Sequence, residues 1–230
     1  MKNLIDNLIN DKWLKTPKII AAFRKIKRED FLPDELRNLA ELDEALPIGF
    51  RQTISQPLTV AFMLELLKPE SGDNILDVGS GSGWTTALLA FIACPPKAEG
   101  RRRVRQHSNI LKNVGMSRVN GKVVAVEVVP ELYKFGKRNV EKYRFIEQGI
   151  VEYILSDGSK GYAKHAPYDK ILVSAAISDK NNFPKELKSQ LKIGGRLVSP
   201  IKNSIWLFIK KNENDFQKKE FPGFVFVPLV

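Results

Sequence analysis

The chain has 230 residues, of which 43% are hydrophobic and 27% charged, a length that fits one large domain or one and a half and a composition ordinary for a folded, soluble protein. No apolar run reaches the roughly 18 residues of a membrane span, and Asp6 and Asp11 interrupt the N-terminal stretch, so we expect no signal peptide there. The single cysteine, Cys94, excludes an internal disulfide, and with only two histidines we expect no structural metal site. These features predict a cytoplasmic protein.

The first part of the chain is expected to be helical. Apolar residues recur at helical spacing over residues 2–27, on both sides of Pro17, and residues 33–40 indicate a further short helix. We expect these elements to form a small helical cap on the main sheet.

A polar segment with functional residue types follows. Within Leu46 to Pro57, Gly49 and Pro57 frame a predicted irregular polar loop, and Leu58 to Leu67 predicts a helix. Ser55 stands at or just before that helix, where a serine either caps the N-terminus or serves a functional loop. The sequence leaves both interpretations open.

The most informative stretch of the sequence is ILDVGSGSG at residues 75–83. Ile75 to Val78 predicts a buried parallel strand, the glycines a tight turn, and residues 84–90 a helix. Asp77, just before the turn, would repel a pyrophosphate but suits a cationic or hydroxyl-rich ligand, such as the amino-acid end of S-adenosylmethionine. A glycine turn that binds nothing and a site for another nucleotide-like ligand are the alternatives.

A basic segment interrupts the pattern after this helix. Residues 94–119 hold seven basic residues and one acidic residue. The resulting charge of +6 is more than half of the formal net charge of +11. Glu127 ends the next predicted strand, 48 positions after Gly79, whereas a ribose-binding acid usually lies about 20 residues beyond the glycine turn. An insertion of 26 residues explains that spacing, and we expect it to lie away from the active site. It is either a solvated loop or a contact for RNA or another partner.

The remaining elements continue the alternation of strand and helix. The pattern predicts a helix over 131–143, strands over 151–155 and 168–176, and a helix over 184–191 closed by Gly194 and Gly195. Strands over 196–201, 205–210 and 224–229 follow, with a polar turn over 211–219. Asp157-Gly158 after the third strand either hydrogen-bonds a base or turns the chain. We therefore predict an α/β fold with a doubly wound, mostly parallel sheet, Rossmann-like, and an antiparallel C-terminal edge.

Four stretches carry a family resemblance. They are LPIGFRQTISQP at 46–57, ILDVGSGSG at 75–83, YDKILVSAA at 168–176 with PKELKSQLKIGGRLVSP at 184–200, and FVPLV at 226–230. These stretches resemble the protein-L-isoaspartate O-methyltransferase family, and residues 22–25 and 28–31 fit it too. The glycine motif marks only the broad methyltransferase class, whereas the QTIS stretch is much more specific.

The resemblance implies methyl transfer from S-adenosyl-L-methionine, with S-adenosyl-L-homocysteine as product, to the α-carboxyl of L-isoaspartyl residues in damaged proteins and peptides, which initiates repair. It implies one domain over 1–230: a helical cap and substrate loop over 1–57, and a cofactor-binding core over 58–230 with the basic insertion at about 94–119. A monomer is the family-like expectation. We expect no association with a membrane, and contact with nucleic acid only through the insertion.

The resemblance also assigns site residues. Ser55 would be the active-site serine. The cofactor would be held by Asp77, Gly79, Gly81 and Gly83 at its methionine end, Glu127 at the ribose, and Asp157 and Gly158 at the adenine. The substrate groove would be formed by Gln52, Thr53, Ile54, Ala175 and Ala176.

The sequence departs from the family at two places. Leu58 and Val60 stand where members often carry histidines, which leaves the substrate preference open, and the basic insertion has no family-based role. An S-adenosylmethionine-dependent RNA methyltransferase is the rival interpretation, because its fold and glycine motif are shared. Ser174-Ala175-Ala176-Ile177 lacks the acidic or Asn residue with Pro-Pro-aromatic usual in amine-methylating enzymes. A scaffold protein that has lost catalysis is the third interpretation, and the retained Ser55, Asp77 and Glu127 argue against it.

Overall fold

The computed structural model describes residues 4–95, 121–177 and 183–226. Its helices and strands, in chain order, are α1 (Leu4–Asn10), α2 (Pro17–Lys25), β1 (Leu46–Gly49), β2 (Gln52–Ile54), α3 (Pro57–Leu67), β3 (Asn74–Val78), α4 (Trp84–Ala93), β4 (Lys122–Glu127), α5 (Pro130–Glu141), β5 (Val151–Leu155), β6 (Tyr168–Val173), α6 (Lys185–Ser189), β7 (Leu191–Ile201), β8 (Ser204–Lys210) and β9 (Phe216–Pro222). Short 3-10 helices cover Arg28–Phe31, Asp34–Leu39, Gly158–Lys160 and Ala163–His165.

The main sheet has the strand order β5-β4-β3-β6-β7-β8-β9. Strand β3 is central: Ile75 pairs with Val123 of β4 on one side and with Lys170 of β6 on the other, both in parallel. Strands β5 and β7 extend the parallel part, and β8 and β9 add the antiparallel edge. The predicted α/β fold with a mostly parallel sheet and an antiparallel C-terminal edge is therefore confirmed.

The central strands are buried on both faces, because successive side chains point to opposite sides. Ile75 packs in a large core cluster with helices α1 to α5, and its neighbour Leu76 packs in a second cluster with Leu187 of α6. This double burial accounts for the near-continuous apolar runs in the sequence. It also fixes the carboxyl ends of β3, β4 and β6 at one edge of the sheet.

The N-terminal helices form the predicted cap on the larger cluster. Leu8, Ile19 and Phe23 are buried in it, and the ring of Phe23 meets that of Trp84 edge-on at 5.6 Å. Residues 33–40 contain a 3-10 helix rather than an α-helix. The cap thus reaches the first turn of α4, next to the glycine turn.

The irregular loop predicted between Gly49 and Pro57 is wrong, because residues 46–54 form a short antiparallel hairpin. Leu46 pairs with Ile54, and both side chains are buried with that of Ile48. Phe50 and Arg51 form the turn, each with a positive φ. The hairpin is stabilised by its alternating apolar residues, which pack its inner face on the core. The residue types at its turn did not indicate it.

The last strands also differ from the prediction. Gly194 and Gly195 lie inside β7 rather than closing a helix, and Gly194 has a φ of 80° near an irregularity in the pairing of β6 with β7. The final strand is Phe216–Pro222, not 224–229, of which residues 224–226 are irregular and 227–229 lie outside the described residues. The charged residues of this final strand suit an edge strand, so its sequence has no apolar pattern that would indicate a strand. The polar turn before it is therefore shorter than the predicted 211–219.

Smaller corrections concern element ends. Strand β6 stops at Val173 instead of residue 176, and α6 covers only Lys185–Ser189 of the helix predicted over 184–191. Ser55 is not a helix cap, because α3 begins at Pro57 with Gln56 in the N-cap position. The capping interpretation of Ser55 is therefore wrong.

Most of the predicted basic insertion lies outside the described residues, which resume at Gly121 after Pro95. The residues that flank it come together: a Cβ atom on Gly121 would lie 2.5 Å from the carbonyl oxygen of Ala93. This contact is at the amino end of β4, opposite the strand ends that carry the glycine turn.

Candidate active site

The turn after β3 is built to bring backbone close to a ligand. The amide groups of Gly79 and Ser80 donate to the carbonyl oxygen of Val126, at 2.9 and 3.2 Å. Gly79 and Gly81 have φ angles of 74° and 51°, which residues with a Cβ atom adopt only at a cost. The turn is thereby tied to the end of β4 and keeps an open surface.

A cavity lies over this turn and encloses about 650 Å³, including its mouth. Its walls come from the hairpin, the glycine turn, the residues after β4, the start of α5 and the residues after β6. Among the predicted site residues, those that line it are Gln52, Thr53, Ile54, Ser55, Gly79, Gly81, Glu127 and Ala175. The structure therefore brings the QTIS stretch and the glycine motif together at the carboxyl edge of the sheet, where ligands of such sheets bind.

Ser55 occupies a junction at this edge. It is half-buried and lines both this cavity and a neighbouring one. Its carbonyl oxygen accepts a hydrogen bond of 3.3 Å from the guanidinium of Arg28. The strand β2 holds Thr53 and Ile54 beside it, so the hairpin carries this whole wall.

Asp77 lies behind the turn and is fully buried. Its Oδ2 accepts hydrogen bonds from the hydroxyls of Thr86, at 2.6 Å, and Thr85, at 3.1 Å, whereas Oδ1 has no partner among the described residues. Burial raises the pKa of Asp77 to about 6, opposed by the two threonine hydroxyls and assisted by the charge of Glu127. At pH 7 the carboxylate is mainly ionised, and it contacts the cavity through Thr85.

Glu127, at the end of β4, is held by backbone donors. Its Oε2 accepts from the amide of Gly81 at 2.8 Å, and its Oε1 accepts from the amides of Val128 and Val129 at 2.9 and 3.0 Å. The side chain is 5% exposed and lines the cavity. A carboxylate fixed in this way still has lone pairs for ligand hydroxyls.

The other predicted site residues lie near the cavity but do not line it. Gly83 packs against α5, where an added Cβ would lie 2.8 Å from the carbonyl oxygen of Gly136. Asp157 is exposed and accepts a hydrogen bond from the amide of Ser159, while Gly158 packs against Val78. Ala176 follows Ala175, beyond the lining residues.

Some cavity residues were not predicted from the sequence. Ser80, Trp84 and Ser174 line the cavity, and each has a buried polar atom without a hydrogen-bond partner in the described part of the chain. Val128 and Val129 line it as well. Val128, Val129 and Ser174 directly follow the carboxyl ends of parallel strands, and this position in the sequence could have indicated that they line the cavity.

The two residues that depart from the family pattern have different surroundings. Val60 is 2% exposed and belongs to the core, whereas Leu58 lines a separate apolar pocket beside α3. Over residues 4–95, 121–177 and 183–226, there is no group of three or more His, Cys, Asp or Glu side chains arranged to hold a metal ion. The helices within those ranges are all too short or too polar to cross a bilayer.

Comparisons with known proteins point to one family. A family model described as protein-L-isoaspartate(D-aspartate) O-methyltransferase (PCMT) matches residues 1–99 and 107–230, leaving residues 100–106 of the basic segment unmatched. A protein-L-isoaspartate O-methyltransferase of Staphylothermus marinus is 38% identical over 233 residues, covering 100% of this chain and 93% of that protein. Protein-L-isoaspartate O-methyltransferase 2 of Archaeoglobus fulgidus is 41% identical over 219 residues, covering 92% and 84%.

A solved structure shares the fold. The crystal structure of a PCMT from Plasmodium falciparum, in complex with S-adenosyl-L-homocysteine, superposes with a TM-score of 0.78 and covers 100% of this chain and 99% of that one. The identity is 22%, so this likeness concerns the fold.

Proposed function

The chain belongs to the protein-L-isoaspartate(D-aspartate) O-methyltransferase family, and we propose that its cavity is where a methyl group passes from S-adenosyl-L-methionine to the α-carboxyl of an L-isoaspartyl residue. The observation that carries this proposal is the meeting of Ser55 and the glycine turn in one cavity. A cofactor held on the turn and a carboxylate held at the hairpin would then face each other.

The residues at the turn fit S-adenosylmethionine, whose amino-acid end and ribose need polar partners. Ser80 Oγ and Trp84 Nε1, on residues that line the cavity, are buried without hydrogen-bond partners in the described residues, an arrangement that costs free energy until a ligand or water satisfies it. Glu127, which lines the cavity, is the acceptor for ribose hydroxyls, whereas the charge of Asp77, buried behind Thr85, attracts the cationic amino group from behind the turn. Gly79 and Gly81 provide the surface without side chains on which such a ligand lies.

When bound, S-adenosylmethionine supplies an electrophilic methyl group on a sulfonium sulfur. The protein does not have to create the nucleophile, because the substrate carboxylate is already anionic. Ser55 donates a hydrogen bond to one carboxylate oxygen and so directs the other towards the methyl group, and Gln52, Thr53 and Ile54 hold the peptide beside it. Alignment and exclusion of water supply the rate enhancement.

The residues outside the cavity lining take secondary roles in this proposal. Asp157 and Gly158 follow β5, the neighbour of β4 on the side away from β3, and would meet the adenine. Gly83 acts indirectly, by setting α4 against α5, and Ala176 extends the wall begun by Ala175. We also propose that the enzyme acts in the cytoplasm, in agreement with its single cysteine, and as a monomer.

The deciding experiment measures methyl transfer from labelled S-adenosylmethionine to an isoaspartyl peptide, its aspartyl twin and bulk tRNA. We expect label on the isoaspartyl peptide alone, and we expect mild base to release it, because a methyl ester hydrolyses readily. Base-stable label on tRNA would contradict the proposal and favour an RNA methyltransferase. Methylation of both peptides at equal rates would contradict the isoaspartyl specificity.

A further inference from the structure

A second cavity lies on the other side of Ser55. It encloses about 700 Å³ including its mouth, and Thr53, Ser55 and Ser174 line both it and the cavity over the glycine turn. The path thus continues past the serine, away from the glycine turn. A peptide whose carboxylate reaches Ser55 has room for its flanking residues in this direction.

This second cavity adjoins a third, larger one beside α3. Ala45, Gln56, Thr59 and Val225 line both of them. The third cavity encloses about 1400 Å³, again including its mouth. Neither of these cavities is part of the cofactor site described above.

The wall of the third cavity is aromatic. Phe62 of α3 is its centre: its ring lies 5.8 Å from that of Trp13, 5.2 Å from that of Phe221 and 5.3 Å from that of Phe224. Leu58 adds a further apolar side chain, and Glu220 is the one charged residue among the described residues that line it. Rings that pack on one another in this way form a firm apolar surface that is ready to receive another side chain.

Helix α3 sets the scale of the path from Ser55. It begins at Pro57, directly after the hairpin segment that carries Ser55, and rises by about 7.5 Å to Phe62, whereas an extended peptide advances about 3.3 Å per residue. A side chain within a few residues of the isoaspartyl residue is therefore the substrate group to test against the aromatic wall.

We propose that the second and third cavities form a specificity subsite for a large apolar side chain within a few residues of the isoaspartyl residue. This inference rests on the function proposed above and adds a preference to it. The occupant is a substrate side chain rather than a second copy of the chain, because the apolar wall adjoins the second cavity, which shares Thr53, Ser55 and Ser174 with the cavity over the glycine turn. A charged side chain is disfavoured, since it would lose hydration against the rings, and Glu220 is the one charged residue that faces it among the described lining residues.

A peptide series tests the subsite. Each peptide has a central isoaspartyl residue in an alanine, glycine and serine background, and one position from −3 to +3 carries Ala, Leu, Phe or Glu. We expect Phe and Leu to exceed Ala in kcat/KM by about tenfold or more at one position, as burial of such a side chain provides, and Glu to fall below Ala. Equal kcat/KM values across the series would overturn the subsite, whereas methylation of no peptide at all would overturn the proposed function itself.

Variants assign the preference to this surface. Val225 is 90% exposed, so Val225→Asp should fold, and Leu58→Asn changes a second lining residue of the third cavity. Each variant should reduce the Phe-to-Ala ratio to about threefold or less, because it puts a polar group against the apolar side chain. Ile193→Asp is the control, since Ile193 is 61% exposed on β7 and lines none of the three cavities. A ratio that survives both Val225→Asp and Leu58→Asn would overturn the assignment.

Discussion

The guanidinium of Arg28 donates a hydrogen bond to the carbonyl oxygen of Ser55, with 3.3 Å between the two atoms. The same side chain donates to the carbonyl oxygens of Ala40, Leu42 and Glu44, at 3.2, 2.9 and 2.6 Å. It is 6% exposed and lies 5.5 Å above the ring of Trp84. One buried cation thus joins the cap, the segment before the hairpin and two walls of the active site.

We predict that Arg28→Ala lowers kcat by more than tenfold and destabilises the protein by about 3–5 kcal/mol, because it leaves buried carbonyl groups unsatisfied. Burial lowers the pKa of Arg28 to about 10, so the native side chain is still charged at pH 7. Arg28→Lys should recover little, since an ammonium group cannot reproduce the planar fork that serves several carbonyls.

Added guanidinium ion separates positioning from simple loss of stability. At low millimolar concentration it should restore part of the kcat of Arg28→Ala by filling the vacated site, while KM for the peptide changes less. Arg196→Ala is the matched control, because Arg196 donates to the carbonyl oxygen of Leu66 at 2.7 Å, at the far end of α3. Absence of rescue in a folded Arg28→Ala protein would contradict the positioning role.

Asp77 should make the stability of the ligand-free protein depend on pH. Its pKa is about 6 in the folded state, above the ordinary value of 3.8, so the folded state binds more protons than the unfolded state between these values. Stability therefore falls as pH rises from about 4 to 6, by up to about 3 kcal/mol. Urea unfolding at pH 4.5 and 7.5 should show this loss in the native protein and a smaller loss in Asp77→Asn.

The same carboxylate should control cofactor affinity. Ionised Asp77 attracts the cationic amino group of S-adenosylmethionine, so calorimetry should show a Kd that rises as pH falls below about 6 in the native protein. Asp77→Asn should bind more weakly at pH 7.5 and lose most of this pH dependence. A variant with native affinity and native pH dependence would contradict the assignment.

The part of this fold that was predictable from the sequence has local causes. The strand β3 is buried on both faces and is followed by glycines with positive φ. The residues from Ile75 to Gly83 therefore predicted both the strand and the glycine turn. The parallel order followed from the alternation of strands and helices. The acid at the end of β4 was also predictable, from its spacing after the glycine turn once the insertion is removed, and Glu127 lines the cavity.

The rest depends on contacts between distant segments. The hairpin gains its stability from the burial of Leu46, Ile48 and Ile54 on the core, and three residues of β2 carry too little periodicity to indicate a strand. In the sequence, Arg28 is indistinguishable from any other basic residue near a helix. Its structural role depends on backbone acceptors that lie 12 to 27 residues further along the chain. The raised pKa of Asp77 arises from complete burial, which a strand end in a sequence does not disclose.

Ser55→Ala should separate catalysis from cofactor binding. We predict a loss of about 10- to 100-fold in kcat, the effect of removing one hydrogen bond to a charged group, whereas the Kd for S-adenosyl-L-homocysteine should stay within about twofold because the glycine turn is untouched. Initial rates with the isoaspartyl peptide and calorimetry give the two values. Ser189→Ala, on the exposed surface of α6, should match the native protein in both, and an unchanged kcat in Ser55→Ala would remove the serine from the mechanism.

Gly83 and Gly49 form a matched pair for testing the junction of α4 with α5. Both have positive φ, at 85° and 89°, so alanine costs about 1–2 kcal/mol of backbone strain at either position. At Gly49 an added Cβ meets nothing within 4 Å, whereas at Gly83 it lies 2.8 Å from both Gly136 O and Val140 Cγ2. We therefore expect Gly83→Ala to lose about 1–3 kcal/mol more than Gly49→Ala in urea unfolding, together with affinity for S-adenosyl-L-homocysteine, because the displaced helix moves the glycine turn. Equal losses in the two variants would mean that α5 yields to the added carbon and does not hold the turn in place.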